Sequence, residues 1–211
     1  MKAYPKILHW TNSPLGLPCI AFDKLDGSNI RFEYSRKRGW YKFGTRKMMI
    51  DDQHEDFGDA IALFENKYQE SLSRIFRDKK IFRGVKTFIA FVEYYGKNSF
   101  AGWHDSDDEM DVVLFDIWVL KKGFIPPREL IKTFGDTLEL PSVVYEGNFN
   151  KDFIRRVSEG IYNLKEGIVA KGVLEKAHPG RNVWMTKVKT QEWLLKVKSK
   201  YGEECLQEEL T

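Results

Sequence analysis

The sequence predicts an α+β fold of antiparallel strands with helices at their flanks, and three observations predict it. Strand-like segments dominate the middle of the chain. One helix-period run interrupts them and a helical composition closes the chain. Strand and helix do not alternate regularly, as a doubly wound parallel sheet would require.

Ile20 to Phe22 is a short apolar run that leads into Lys24-Leu25-Asp26-Gly27, as a strand ending in a turn does. Ile30, Phe32 and Tyr34 then share one face at strand period, Arg36 to Gly39 makes a polar turn, and Trp40 to Thr45 returns, giving a β-hairpin. Phe57, Ile61, Phe64, Tyr68, Leu72, Ile75 and Phe76 recur at steps of three and four with a final step of one, which predicts an amphipathic helix. Val85 to Tyr95 and Asp111 to Leu120 are rich in β-branched and aromatic residues and read as buried strands. Pro126-Pro127 is the strongest break and marks a surface connection. Gly167 to Val173 and Val183 to Val188 read as two more strands, and Glu192 to Leu210 as a helix with Trp193, Leu194 and Val197 on one side.

The 211 residues suffice for one large domain with a proper core. Hydrophobic residues at 42% and charged residues at 31% exclude a disordered or membrane-spanning composition. Aromatic residues reach 14%, enough to serve both the core and platforms for bases. With 34 basic and 31 acidic residues, the net charge of +3 neither demands nor excludes a nucleic-acid partner. Cys19 and Cys205 give no metal-ligand spacing and no disulfide framework, so both are expected as free thiols. No apolar run approaches the roughly 18–20 residues of a membrane span, and Met1 to Trp10 lacks an apolar signal core. The expected location is the cytoplasm. His104 beside the acids from Asp105 to Asp111 is a conceivable metal site, although a surface loop carrying Trp103 explains the same pattern.

Lys24-Leu25-Asp26-Gly27-Ser28-Asn29 has a chemical logic. Glycine permits a tight turn and close backbone approach to a ligand. A lysine becomes a nucleophile once its amine is neutral, and nearby cations favour the neutral form. Alone, such a short pattern also fits a solvated turn.

Five further segments follow in a fixed order, and with them the sequence resembles the phage-type RNA ligase 2 family, within the covalent nucleotidyltransferase superfamily of polynucleotide ligases and capping enzymes. The resemblance runs from Lys24 to Lys189. It implies that Lys24 forms a lysyl-AMP bond, and Asn29 matches a feature of this branch. Arg46 in Gly44-Thr45-Arg46-Lys47 matches an arginine that contacts the nucleotide or the RNA end. Glu93 in Phe91-Val92-Glu93-Tyr94-Tyr95-Gly96 matches a carboxylate on the ribose or on metal-bound water. In Leu114-Phe115-Asp116, Phe115 matches an adenine-stacking aromatic and Asp116 its partner acid. In Lys165-Glu166-Gly167-Ile168-Val169-Ala170-Lys171, Glu166 matches a metal-organising carboxylate and Lys171 a phosphate or base contact. Lys187 and Lys189 match the pair that grips the α-phosphate. Phe91 and Trp118 remain rivals of Phe115, and Arg46 stands among Arg36, Lys37, Arg38, Lys42 and Lys47, which suit RNA phosphate equally well.

The implied fold is a nucleotidyltransferase (adenylation) domain of the ATP-grasp-like ligase type over residues 1–190, with 191–211 as a C-terminal helix. The implied substrate and cofactor are ATP and Mg²⁺, with Mn²⁺ as a substitute. Asp26, Glu93 and Glu166 would hold the metal through waters, and the metal with Lys187, Lys189 and Arg46 would depress the Lys24 pKa. The implied reaction joins 5′-phosphate and 3′-hydroxyl RNA ends, on a nicked duplex and by a monomer, in RNA repair. A DNA ligase or guanylyltransferase of the same superfamily, or a non-catalytic RNA-binding module, are the other readings. Relatives carry further chain beyond the last two lysines, whereas about twenty residues follow Lys189 here, which bears on how RNA is gripped.

Overall fold

The computed structural model describes residues 1–97, 107–173 and 183–210. The Trp103–His104 segment lies outside these residues. Two sheets carry the fold. The first runs in the order β1 (Leu8–His9), β11 (Met185–Lys189), β10 (Gly167–Gly172), β2 (Pro18–Lys24), β9 (Val143–Asn148). The second runs β5 (Met49–Ile50), β4 (Gly39–Thr45), β3 (Gly27–Ser35), β6 (Thr87–Tyr95), β7 (Asp111–Val119), β8 (Gly123–Phe124). All pairs are antiparallel except β1 with β11. The expected hairpin is β3–β4, and the chain crosses from one sheet to the other between Lys24 and Gly27.

The expected long helix forms as α1 (Gly58–Phe64) and α2 (Glu70–Asp78), joined by a wider turn over Glu65–Gln69. Its apolar stripe packs on the outer face of the second sheet. Phe64 stacks on Phe32 at 3.8 Å and Phe76 on Phe88 at 4.0 Å between ring centroids. Strand alternation supplies the other half of this core from Ile30, Tyr34, Ala90 and Val92. A smaller core covers the outer face of the first sheet, where Ala21, Ile168, Ala170 and Val188 meet α4 (Lys151–Ser158). A third cluster of Tyr4, Ile89 and Phe91, with Phe115 and Met185 against it, joins strands of both sheets.

Pro126-Pro127 is more than a break. Pro127 opens α3 (Pro127–Phe134), because the first helical position needs no N–H and suits the fixed φ of proline. The closing helix is α5 (Gln191–Glu209), capped by the Thr190 hydroxyl, which accepts from the Trp193 amide at 3.2 Å. It is not continuous. Gly202 has φ 86°, and the chain bends there. Among the described residues no helix is long and apolar enough to cross a membrane. Cys19 and Cys205 are free, and burial pushes the Cys19 thiol up to about 11.

Two glycines are set by close approach. A Cβ on Gly27 would stand 2.4 Å from the Tyr94 carbonyl oxygen. A Cβ on Gly167 would stand 2.1 Å from the Val188 carbonyl oxygen, and φ there is +149°. Gly167 lies between Lys24 on one side and Lys189 on the other. Gly167→Ala is therefore expected to lower the unfolding free energy by about 2–4 kcal/mol, read as a fall in the urea midpoint at constant slope.

Candidate active site

Period-2 alternation builds one wall of a cleft. Along β2, β10 and β11 it turns Phe22 and Lys24, Val169 and Lys171, and Lys187 and Lys189 away from α4 and into a cleft of about 870 Å³. The second sheet and its loops add Asp26, Asn29, Arg46, Glu93 and Phe115. Every expected site residue except Asp116 lines this cleft.

One irregularity sets the aromatic end. Phe91 pairs with Asp116 and Val92 with Leu114, which leaves Phe115 as an extra residue in β7. Leu114 and Ile117 both stay in the core, so Phe115 and Asp116 both face the other way. Phe115 is half-buried at the cleft, whereas Phe91 is sealed in the cluster between the sheets and Trp118 packs against it. Of the three aromatics, Phe115 alone lines the cleft.

Asp116 sits behind that ring, 1% exposed. It accepts from Lys171 Nζ at 2.9 Å and from the Tyr4 hydroxyl at 2.7 Å. Lys171 also donates to the Phe115 carbonyl at 2.8 Å, and its ammonium lies 5.1 Å from the centre of the Phe22 ring. Lys171 therefore stands at the aromatic end of the cleft. Asp116 is its anchor and makes no part of the cleft wall.

The other end is ionic. Glu166, 2% exposed, accepts from Lys24 Nζ at 2.7 Å and from Lys189 Nζ at 2.8 Å, one lysine on each oxygen. Lys189 also meets Glu209 at 2.5 Å and lies 3.4 Å over the Trp193 ring. Lys187 lies 3.4 Å from Glu209. Burial by itself would lower the Lys24 pKa, but Glu166 and Glu93 outweigh it and raise it. The expected depression is thus not produced by the chain's own groups, which hold Lys24 as an ammonium.

Glu93 is the acid that burial disfavours as an ion. Burial raises its pKa to about 7; Lys24 opposes the shift, while Glu166 and Asp26 add to it. Asn29 pairs across the strands with Glu93, and its buried side-chain oxygen has no hydrogen-bond partner among the described residues. Oxygen donors that are costly to ionise or left unpaired suit a hydrated divalent cation. Among the described residues no three acids, histidines or cysteines lie close enough to hold a metal directly. Glu93 and Asn29 are thus the oxygen groups in the cleft that a hydrated divalent cation would suit.

The basic run around Arg46 divides. Arg46 and Lys47 line the cleft. Arg36 is structural, donating to the carbonyls of Phe76, Val85 and Phe82 at 2.6, 3.0 and 3.1 Å. Arg38 and Lys42 lie by the exposed side of Tyr41. Sequence reasoning missed Tyr4, Glu209 and Trp193, which lie outside the matched segments. It also missed Phe22 and Val169, although each stands two residues before a cleft lysine and shares its face.

A family model described as RNA ligase matches residues 17–189. No curated protein matches the sequence. Among solved structures, the Naegleria gruberi RNA ligase with pyrophosphate is 15% identical at a TM-score of 0.68, over 95% of this chain and 59% of that one. An archaeal ATP-dependent RNA ligase is 15% identical at 0.62, over 92% and 50%. A putative ATP-dependent DNA ligase from Aquifex aeolicus is 16% identical at 0.58, over 92% and 51%. The chain thus spans 50–59% of the length of these structures, and the likeness is one of fold. The Naegleria ligase is also known with AMP and Mn and with ATP and Mn.

The Glu93 shift has a sign that can be measured. Its folded pKa of about 7 lies above the ordinary 4.5, so folding favours the protonated form. The associated stability is present below about 4.5 and is lost as pH rises through 7. The unfolding free energy of Glu93→Gln minus that of the wild type should therefore rise by about 2–3 kcal/mol between these pH values and level off above them.

Proposed function

This chain belongs to the RNA ligase family, and we propose that it joins a 5′-phosphate to a 3′-hydroxyl on RNA, using ATP and an AMP carried on Lys24. The observation that supports this most is the cleft itself. A cation-backed aromatic platform, Phe115 with Lys171, stands at one end, and three lysines gathered on two glutamates stand at the other. That polarity suits a nucleotide lying with its base at the first end and its phosphates at the second.

In the first step the Lys24 amine attacks the α-phosphorus of ATP. An N–P bond forms, the bond to the bridging oxygen breaks, and pyrophosphate leaves. In this reading Glu166, which accepts a hydrogen bond from Lys24, orients the amine and takes its proton. Lys187, Lys189 and Arg46 offset the charge that develops on the phosphate oxygens. A Mg²⁺, with Mn²⁺ as a substitute, would offset the acids that hold Lys24 charged and so favour its neutral form. In the second step the RNA 5′-phosphate oxygen takes the AMP as the N–P bond breaks. In the third the RNA 3′-hydroxyl attacks that activated phosphate, the phosphodiester forms and AMP leaves.

Residues 1–190 then constitute the nucleotidyltransferase unit, of the ATP-grasp-like type, and the stretch from 191 on carries α5. The substrate is a nicked RNA duplex, and the enzyme works as a monomer in the cytoplasm.

The test is sealing of a nicked duplex with ATP and Mg²⁺. Wild type should seal, and Lys24→Ala should lose more than about a thousandfold in rate. A ribose on the 3′ side of the nick should be required. Equal sealing of an all-DNA nick would make the chain a DNA ligase. A GMP adduct formed with GTP would make it a guanylyltransferase, and binding of RNA without any adduct would make it a non-catalytic module.

A further inference from the structure

Cations gather at the end of the second sheet remote from the cleft. Lys37 comes from the β3–β4 turn, Arg77 from the end of α2, Lys80, Arg83 and Lys86 from the chain between α2 and β6, and Lys121 from the turn before β8. The backbone ties these pieces together. The Arg36 amide donates to the Lys86 carbonyl at 3.3 Å, the Leu120 amide to Thr87 at 3.1 Å, and Lys122 Nζ to Ile81 at 2.8 Å. Arg77, Lys80, Arg83 and Lys86 line a pocket of about 480 Å³ whose one acid among the described residues is Asp78. The charged ends of these four make no hydrogen bond or ion pair among the described residues. Like charges held together without partners repel, and a polyanion relieves that repulsion.

We propose that this surface docks the phosphate backbone of one arm of a duplex RNA, about 20 Å along β6 from Glu93. It rests on the ligase reading for the identity of the RNA, not for the presence of the site. The probe is a nicked RNA duplex, with Arg77, Lys80, Arg83 and Lys86 all changed to Gln. The slope of log affinity against log salt should fall by about 0.9 for each phosphate that the variant no longer neutralises, so by about 2–4 in all. Lysyl-AMP formation should be unchanged. An unchanged slope and affinity would overturn the proposal and leave the patch for an acidic protein. Loss of lysyl-AMP in the wild type would count against the ligase reading while the binding result still stood.

A second observation is independent. A straight helix over residues 191–209 would carry Glu209 about 28 Å from Lys189. Instead its carboxylate meets Lys189 at 2.5 Å and Lys187 at 3.4 Å. The bend at Gly202 returns the last turns of α5, and Cys205 packs against Trp193 and Val197. We infer that Glu209 is an intramolecular stand-in for a nucleotide phosphate, which ATP must displace before the two lysines can hold it. This too rests on the ligase reading, through the role given to the two lysines.

Glu209→Gln removes the competing charge. Gly202→Ala acts differently, since alanine resists φ 86° and favours a straight helix. Both should tighten binding of inorganic tripolyphosphate by roughly three- to tenfold, by raising the competent fraction. With ATP and Mg²⁺, the half-saturating concentration for lysyl-AMP formation should fall by the same factor. Unchanged or weaker tripolyphosphate binding in either variant would overturn the inference. Tighter binding with no lysyl-AMP in any protein would instead count against the ligase reading.

Discussion

Glu166 is the constraint on which the cleft depends. A single buried carboxylate divides its two oxygens between Lys24 of β2 and Lys189 of β11. Those strands flank β10, and Gly167 is the residue between them. The backbone there is too crowded for any Cβ, so the residue after Glu166 must be glycine if the three strands are to close. Neither lysine can leave water cheaply without this partner. The ion cluster and the sheet register therefore specify one another.

The other end of the cleft shows the same economy. An extra residue in β7 turns Phe115 and Asp116 to the same side. The ring meets the cleft, and the acid behind it fixes Lys171 and Tyr4. Tyr4 packs edge-on to Phe91 and Phe115, both at 5.0 Å, in the cluster that joins the sheets. The platform and the junction between the sheets are thus one piece of packing. A substitution in either is felt by both.

The residues whose type is their chemistry were legible in the sequence: Lys24, Asp26, Asn29, Glu93, Glu166, Lys171, Lys187 and Lys189 all reach one cleft. Elements with a clear period were legible too, such as Ile30-Phe32-Tyr34 and the α1–α2 stripe. β9 was not, because an edge strand with no buried residue carries no apolar alternation. The bulge was hidden because Leu114-Phe115-Asp116-Ile117 reads as an ordinary buried strand until its partner's register is known. The place of Asp116 behind Phe115 and the structural role of Arg36 follow from tertiary packing alone. Glu209 was hidden for another reason. A glutamate near the end of an exposed helix has no signature, and only the bend at Gly202 brings it to the lysines.

A carboxylate lies against Lys187 and Lys189, and acids hold Lys24 as an ammonium. In the proposed reading a phosphate displaces the first and a metal offsets the second, and the covalent step should then fall on Lys24. The most direct measurement is mass mapping of the protein after incubation with ATP and Mg²⁺. A single added AMP on the peptide that carries Lys24, labile to acid and stable to base as an N–P bond is, is the result this account predicts. An unmodified protein, or AMP on the peptide of Lys187 and Lys189, would contradict it.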